Sequence, residues 1–437
     1  MAKGSRGAIY TFWPAVNPES VYVALPARYD LTVVPIRRKI IPEVRMIHHR
    51  VVFLLLIASV LALGAAAQQP PAPLIVDLKA PDGTALKASF FAAAKPGPGV
   101  LLLHQCNRQR KVWDELAGQL AAAGINTLTL DLRGFGESGG TRNDKLTPAE
   151  QAPEKNRGDI DTAFQYLVSQ PGVTRDVIGV GGASCGVNNS IQTAHRHPAE
   201  VKSLVLMSGN TDMAGRQFLH QASQLPEMFV VADDDEFRPI VDIMPWLYSV
   251  SSSSGKKFVH YATGGHGADI FRVHPELRGV IVDWYVTTLI KTPGHAPADQ
   301  SNAAAVPYAQ VLTQIEAPGG IAQVAQKLSE ARQKDPKAQL FSEGIVNVMG
   351  YDHLQAGETK LAVEIMKLNV AAYPNSPNAY DSLSDAYLAD GQKDLARENA
   401  KKAIELLASD TTDDEARRKA IRESAEGKLK QLGEAKP

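Results

Sequence analysis

The sequence predicts an α/β architecture: a mostly parallel mixed sheet with helices on both faces, followed by a small all-α domain. Three observations predict it. Apolar runs rich in Val, Ile and Leu alternate with amphipathic helix-length stretches from Pro70 to about Ile290, the pattern of βα units around a buried parallel sheet. One run, Asp176 to Gly181, breaks into Gly182-Ala183-Ser184-Cys185-Gly186 and resumes as a helix, a sharp strand-to-helix turn. Beyond residue 306 the period is helical throughout, and Gly357-Glu358-Thr359-Lys360-Leu361-Ala362 recurs 34 residues later as Gly391-Gln392-Lys393-Asp394-Leu395-Ala396.

The elements follow in order. Leu74 to Leu78 and Ala85 to Phe91 flank Ala80-Pro81-Asp82-Gly83, a hairpin signal that makes the sheet mixed. Val100 to Leu103 is a continuous apolar run, read as a buried strand. Val112, Leu116 and Leu120 repeat at helical spacing and Gly124 closes that helix. Ile125 to Leu130 is a strand that ends in Asp131-Leu132-Arg133-Gly134-Phe135-Gly136-Glu137-Ser138; Asp159 to Ser169 is a helix. Val201 to Met207, Glu227 to Ala232 and Lys257 to Ala262 are further strands, and a last helix begins near Pro275. Domain limits are expected at 72–291 for the α/β part and 307–437 for the helical part, with 292–306, rich in Pro and Ala, as the linker.

At 437 residues, 44% hydrophobic and 21% charged, the chain can bury a sizeable core. A net charge of −1 and the lack of a basic run give no footprint for nucleic acid. Met46-Ile47-His48-His49-Arg50, the apolar run Val51 to Leu63 and Gly64-Ala65-Ala66-Ala67 form a secretory signal peptide over 46–67. The run falls short of the roughly 18 apolar residues of a membrane span. Residues 1–45, with prolines at 14, 18, 26, 35 and 42, are expected to be a mis-called extension. The expected location is periplasmic or secreted, with membrane contact only if the signal segment stays uncleaved.

The turn at Gly182-x-Ser184-x-Gly186 fits a nucleophile elbow, which exposes one hydroxyl at the head of a helix. A serine needs a histidine to take its proton and a carboxylate to orient that histidine. After an elbow the acid and then the histidine are expected on loops that follow later strands. The strand Glu227 to Ala232 runs into Asp233-Asp234-Asp235; Asp235 lies deepest in the loop and is the chosen acid, with Asp233 and Asp234 as alternatives. Thr263-Gly264-Gly265-His266-Gly267 follows the next strand, and His266, bracketed by glycines, is the chosen base. His260, His274, His195 and His197 read as structural. The oxyanion needs two preorganised N–H donors. Cys185, after the nucleophile, supplies one, and Gln105 or Cys106 in the loop after Leu103 supplies the other, with Cys106 preferred. The chain's two cysteines thus flank one site, and in an exported protein they are expected to pair as Cys106–Cys185. The rival nucleophile, Cys185, would need glycines where Ala183 and Val187 stand. This chemistry calls for no metal and no cofactor.

Taken together, the His104 loop, Asp131-x-Arg133-Gly134-x-Gly136-x-Ser138, the elbow, the Asp235 loop and Gly265-His266-Gly267 resemble the α/β-hydrolase superfamily, its dienelactone-hydrolase-like and small serine esterase branch, over residues 72–291. The resemblance departs in two places: Gln105 stands where many members have glycine, and dienelactone hydrolases proper use cysteine where Ser184 stands. Residues 310–410 resemble a tetratricopeptide-like region, whose period is 34 residues. Two repeats are fewer than such units need alone, so they are expected to pack on helices within Tyr308 to Asp335, on the first domain, or on a partner. Thr211 to Gln224 and Ile240 to Tyr248 are expected to form a small cap carrying Met213, Phe218, Met244 and Trp246. The expected function is an exported serine hydrolase cleaving small-molecule carboxylic esters, with amides second, and with a protein partner for the repeats. The alternative is a non-catalytic scaffold with a vestigial site.

Overall fold

The computed structural model describes residues 72–142, 145, 146, 153–296 and 308–433. The extension at 1–45, the signal segment at 46–67 and most of the 292–306 linker lie outside the described residues. In chain order the strands are β1 (Leu74–Lys79), β2 (Ala85–Phe91), β3 (Gly97–Leu103), β4 (Asn126–Leu130), β5 (Val173–Ala183), β6 (Val201–Met207), β7 (Glu227–Ala232) and β8 (Lys256–Tyr261). They form one sheet in the order β1-β2-β4-β3-β5-β6-β7-β8. β2 is antiparallel to both its neighbours, and β3 to β8 are parallel. With helical crossovers between the parallel strands, this is the α/β-hydrolase fold.

Helices cover both faces because the parallel strands are apolar on both. Leu101, Leu103, Val180, Leu206 and Phe229 pack with Phe164 and Leu167 of α2 (Pro153–Ser169) and Val187 and Ile191 of α3 (Cys185–Arg196). Val100, Leu102, Val205, Met228 and Val230 face Leu116 and Leu120 of α1 (Asp114–Ala122). Helices α4 (Met213–Gln221) and α5 (Arg238–Val250) complete the first of these faces. On the second, α6 (Ile270–Val273) and α7 (Leu277–Tyr285), the last running on as a π-turn over Val286–Lys291, complete the cover. The α2 helix begins six residues before the Asp159 expected from the sequence, because its first turn carries charged residues without apolar periodicity.

The Asp131-x-Arg133 segment is a structural tie. Asp131 is fully buried and accepts from the Arg110 backbone N–H at 2.7 Å, from the Arg110 guanidinium and from Glu137 N–H at 2.9 Å. Arg133 reaches Asp82 of the β1–β2 turn at 2.6 Å and Asp159 of α2 at 2.6 Å, holding the antiparallel corner to the parallel body.

Seven helices make up the described C-terminal region: α8 (Ala309–Glu316), α9 (Gly320–Lys334), α10 (Glu343–Gln355), α11 (Thr359–Ala372), α12 (Pro377–Ala389), α13 (Lys393–Leu406) and α14 (Glu415–Gln431). The pair α10–α11 is repeated by α12–α13 at an offset of 34 residues. Leu312, Ile315, Val324, Phe341, Ile345 and Met349 belong to the same core as Trp246 and Phe229, so these helices continue one face of the sheet.

Candidate active site

The strand register brings the C-terminal ends of β3, β5, β6, β7 and β8 to one edge. Leu103 is level with Gly182, Ala183 with Met207, and Ala232 with Tyr261. Ligands in such sheets bind outside these strand ends, and every candidate residue follows one of them.

Ser184 stands between β5 and α3 with φ of +54° and ψ of −120°, a conformation that costs a non-glycine residue about 1–3 kcal/mol and is typical of functional turns. The flanking glycines allow the chain to double back. A β-carbon at Gly182 would lie 2.1 Å from the Gly186 carbonyl oxygen, and one at Gly186 would lie 2.4 Å from that of Leu103. Ser184 N–H donates to Met207 C=O at 2.9 Å, which pins the turn to β6.

The three consecutive aspartates part company. Asp233 accepts from His260 Nε2 at 2.7 Å, and Asp234 accepts from Gly265 N–H at 2.8 Å. Asp235 lies 3.0 and 2.9 Å, through its two oxygens, from His266 Nδ1. A carboxylate only accepts, so Nδ1 carries the proton and Nε2 is the basic nitrogen. Both side chains are buried, at 1% exposure for His266 and 0% for Asp235, and Phe237 packs edge-on to the imidazole at 4.5 Å. Gly267, next to His266, is held close to Ala183, next to Ser184: a β-carbon on it would sit 3.3 Å from Ala183 Cβ.

Cys106 and Cys185 form a disulfide, with Cα atoms 5.9 Å apart, that ties the loop after β3 to the first turn of α3. Gln105 C=O accepts from His104 Nδ1–H at 2.8 Å and from Arg108 N–H at 3.0 Å. Across a trans peptide the next N–H points the opposite way, so these two bonds fix the direction of Cys106 N–H. Among the described residues, neither Cys106 N–H nor Cys185 N–H donates to a protein acceptor. The Cys185 N–H opens a helix, where the dipole favours negative charge. His104 Nε2 in turn accepts from Leu132 N–H at 3.0 Å, and burial holds its imidazole below the usual range, in the neutral form this bonding requires.

The cap segments are the helices α4 and α5. Met244 and Trp246 are core residues, 0% and 1% exposed: Met244 Sδ receives Gly209 N–H at 3.2 Å and Trp246 carries the Arg216 guanidinium on its ring face. Met213 and Phe218 are half-buried. His274 bonds Thr263 C=O at 2.8 Å, and His197 stacks on Phe164. Sequence reasoning assigned no role to His104 or to the Gln105 side chain. The odd glutamine in the loop was the one visible signal.

Residues 94–266 match the family described as Hydrolase_4, serine aminopeptidase S33; that segment runs from just before β3 to His266 itself. A curated relative, thiohydrolase aneE of Aspergillus aculeatus, is 29% identical over 114 residues, 26% of this chain and 34% of the relative. The chain thus spans about a third of that relative's length. Similar solved structures include DcsB with its substrate analogue, at 15% identity over 49% of this chain and 99% of that one, TM-score 0.42. Dienelactone hydrolase from Anabaena variabilis is 18% identical over 50% and 99%, TM-score 0.42. The esterase Pf2001 of Pyrococcus furiosus is 16% identical over 49% and 90%, TM-score 0.39. The sheet order and the family match support a hydrolase in general terms.

Proposed function

We propose that the chain is an exported serine hydrolase that cleaves carboxylic esters through an acyl-enzyme. The observation that carries this is Ser184, held at φ of +54° at the head of α3, at the same sheet edge as a buried His266–Asp235 pair on the loops after β8 and β7, with Gly267 held close to Ala183. Ser184 Oγ attacks the carbonyl carbon while His266 Nε2 takes its proton. The oxyanion so formed accepts from Cys106 N–H and Cys185 N–H. Collapse expels the alcohol, which carries away the proton from His266. Water then attacks the acyl-enzyme by the same route, releasing the acid and restoring Ser184. Asp235 keeps the imidazole in the right tautomer and stabilises the imidazolium.

The matched relative is named a thiohydrolase, so thioesters belong beside oxygen esters and amides in a substrate screen over acyl chain length. The 34-residue helical hairpins support a tetratricopeptide-like reading of the C-terminal region, with a protein partner as its use. The test is labelling of the purified protein with a fluorophosphonate. Wild type is expected to label at Ser184, with Ser184→Ala blank. Absence of labelling in wild type, or equal labelling of Ser184→Ala, removes the enzymatic reading in favour of a non-catalytic binding protein.

A further inference from the structure

The base loop is built from residues that do little to hold a shape. Gly264, Gly265 and Gly267 all have positive φ, and a loop with such freedom keeps one conformation only if its surroundings hold it. The acid loop holds one side of it, through Asp234 at Gly265 N–H and Asp235 at His266. The opposite side is held by the loop after β3. Gln105 is fully buried; its Oε1 accepts from Ala268 N–H at 2.7 Å and its Nε2 donates to His266 C=O at 3.4 Å. The carboxamide thus reads the backbone on both sides of Gly267 as a neighbouring strand would. The fit is close: a β-carbon on Gly267 would lie 2.5 Å from Gln105 Oε1. Outside it, Arg108 grips Asp269 with two bonds of 2.8 and 2.7 Å.

We infer that Gln105, with Arg108 outside it, is a positioning clasp that holds His266 in register with the oxyanion donor. Its main chain carries the peptide whose N–H is that of Cys106, and its side chain carries the loop of the base. One residue therefore sets the distance between the two groups that act on opposite ends of the reacting carbonyl. This rests on the serine-hydrolase reading. Ground-state binding of substrate does not require that register; proton transfer and oxyanion stabilisation do, and misplacement near 1 Å costs about 100-fold.

The test uses the full chain with p-nitrophenyl acetate and a fluorophosphonate. An inert wild type removes the hydrolase reading itself. With an active wild type, Gln105→Met keeps length and volume but loses the amide donor and leaves only a weakly accepting sulfur. It is expected to lower kcat about 10–100-fold, to slow labelling in step, and to leave KM within about threefold and thermal unfolding near wild type. Arg108→Met, at a side chain 41% exposed, is fold-safe and is expected to lower kcat severalfold at unchanged KM. The inference is overturned if Gln105→Met keeps wild-type kcat and labelling rate, or if its loss disappears once rates are normalised to the folded fraction. If Gln105→Met does not fold, unchanged kcat in Arg108→Met overturns it instead.

Discussion

Asp235 and Asp233 have the same chemistry, lie two residues apart, and are each bonded to a histidine. Burial separates them. The Asp235–His266 pair is shut off from water, whereas Asp233 and His260 are each about half exposed. Asp235→Asn is expected to lower kcat about 10³–10⁴-fold, because an amide can stabilise the wrong imidazole tautomer. Asp233→Asn should leave kcat within about threefold, since an exposed pair contributes about 0–1 kcal/mol. Steady-state kinetics on the two variants separates them, and equal losses would contradict the assignment. A second residue-scale prediction concerns Glu227, wholly buried at the start of β7 and bonded to Ser251 Oγ. Burial pushes its carboxyl up to about 8 from an ordinary value of 4.5. The folded state therefore binds the proton more tightly. The contribution to stability is full below pH 4.5 and is lost as pH rises through about 8. Glu227→Gln mimics the protonated form, so its melting temperature should gain on wild type between pH 5 and 9. A constant difference across that range would refute the buried neutral acid.

At the scale of elements, much was legible because the signals are local. The limits of β6 and β7 fall where the apolar runs fall, and the elbow announces itself by glycines two residues either side of a serine. The bonds that join the elements are less visible. Gln105 and His266 are 161 residues apart, and nothing in a stretch reading His-Gln-Cys says which loop a carboxamide will meet. The choice among three aspartates also depends on the register of β7 against β8, which one strand cannot show. The disulfide was legible for another reason: two cysteines at functionally matched loops have few other partners. Closing its 79-residue separation is worth about 4–5 kcal/mol on the chain-entropy account. Reduction, or Cys106→Ser with Cys185→Ser, is expected to lower the unfolding free energy by about 2–5 kcal/mol in denaturant titration. Alkylation without reductant should modify neither thiol. Two freely modified cysteines would refute the bond.

At the scale of the whole molecule, the C-terminal helices are joined to the cap by charges as well as by apolar contact. Arg216 of α4, 4% exposed, reaches Glu316 of α8 at 3.0 Å and Asp352 of α10 at 2.6 Å. Asp242 of α5 accepts from Tyr308 OH at 3.3 Å and Ser342 Oγ at 2.7 Å. None of this could be read from the sequence: Arg216 looks like a helix-surface cation until α10 covers it. Burial pushes Asp352 up to about 6 even with the guanidinium against it, so its contribution to stability is lost as pH rises from about 4 through about 6. Arg216→Ala removes the cation and leaves that carboxylate in the interior, at an expected cost of about 3–5 kcal/mol. The stranded group can escape by taking a proton, so the deficit should be smaller at pH 5 than at pH 8. Replacing both partners, Arg216→Met with Asp352→Leu, removes the charge problem along with the pair and should recover most of the loss. Denaturant unfolding of Arg216→Met, of Asp352→Leu and of the double variant at both pH values measures the coupling. Additive losses would mean that the two side chains do not act as a pair and that apolar packing alone joins the helices to the cap.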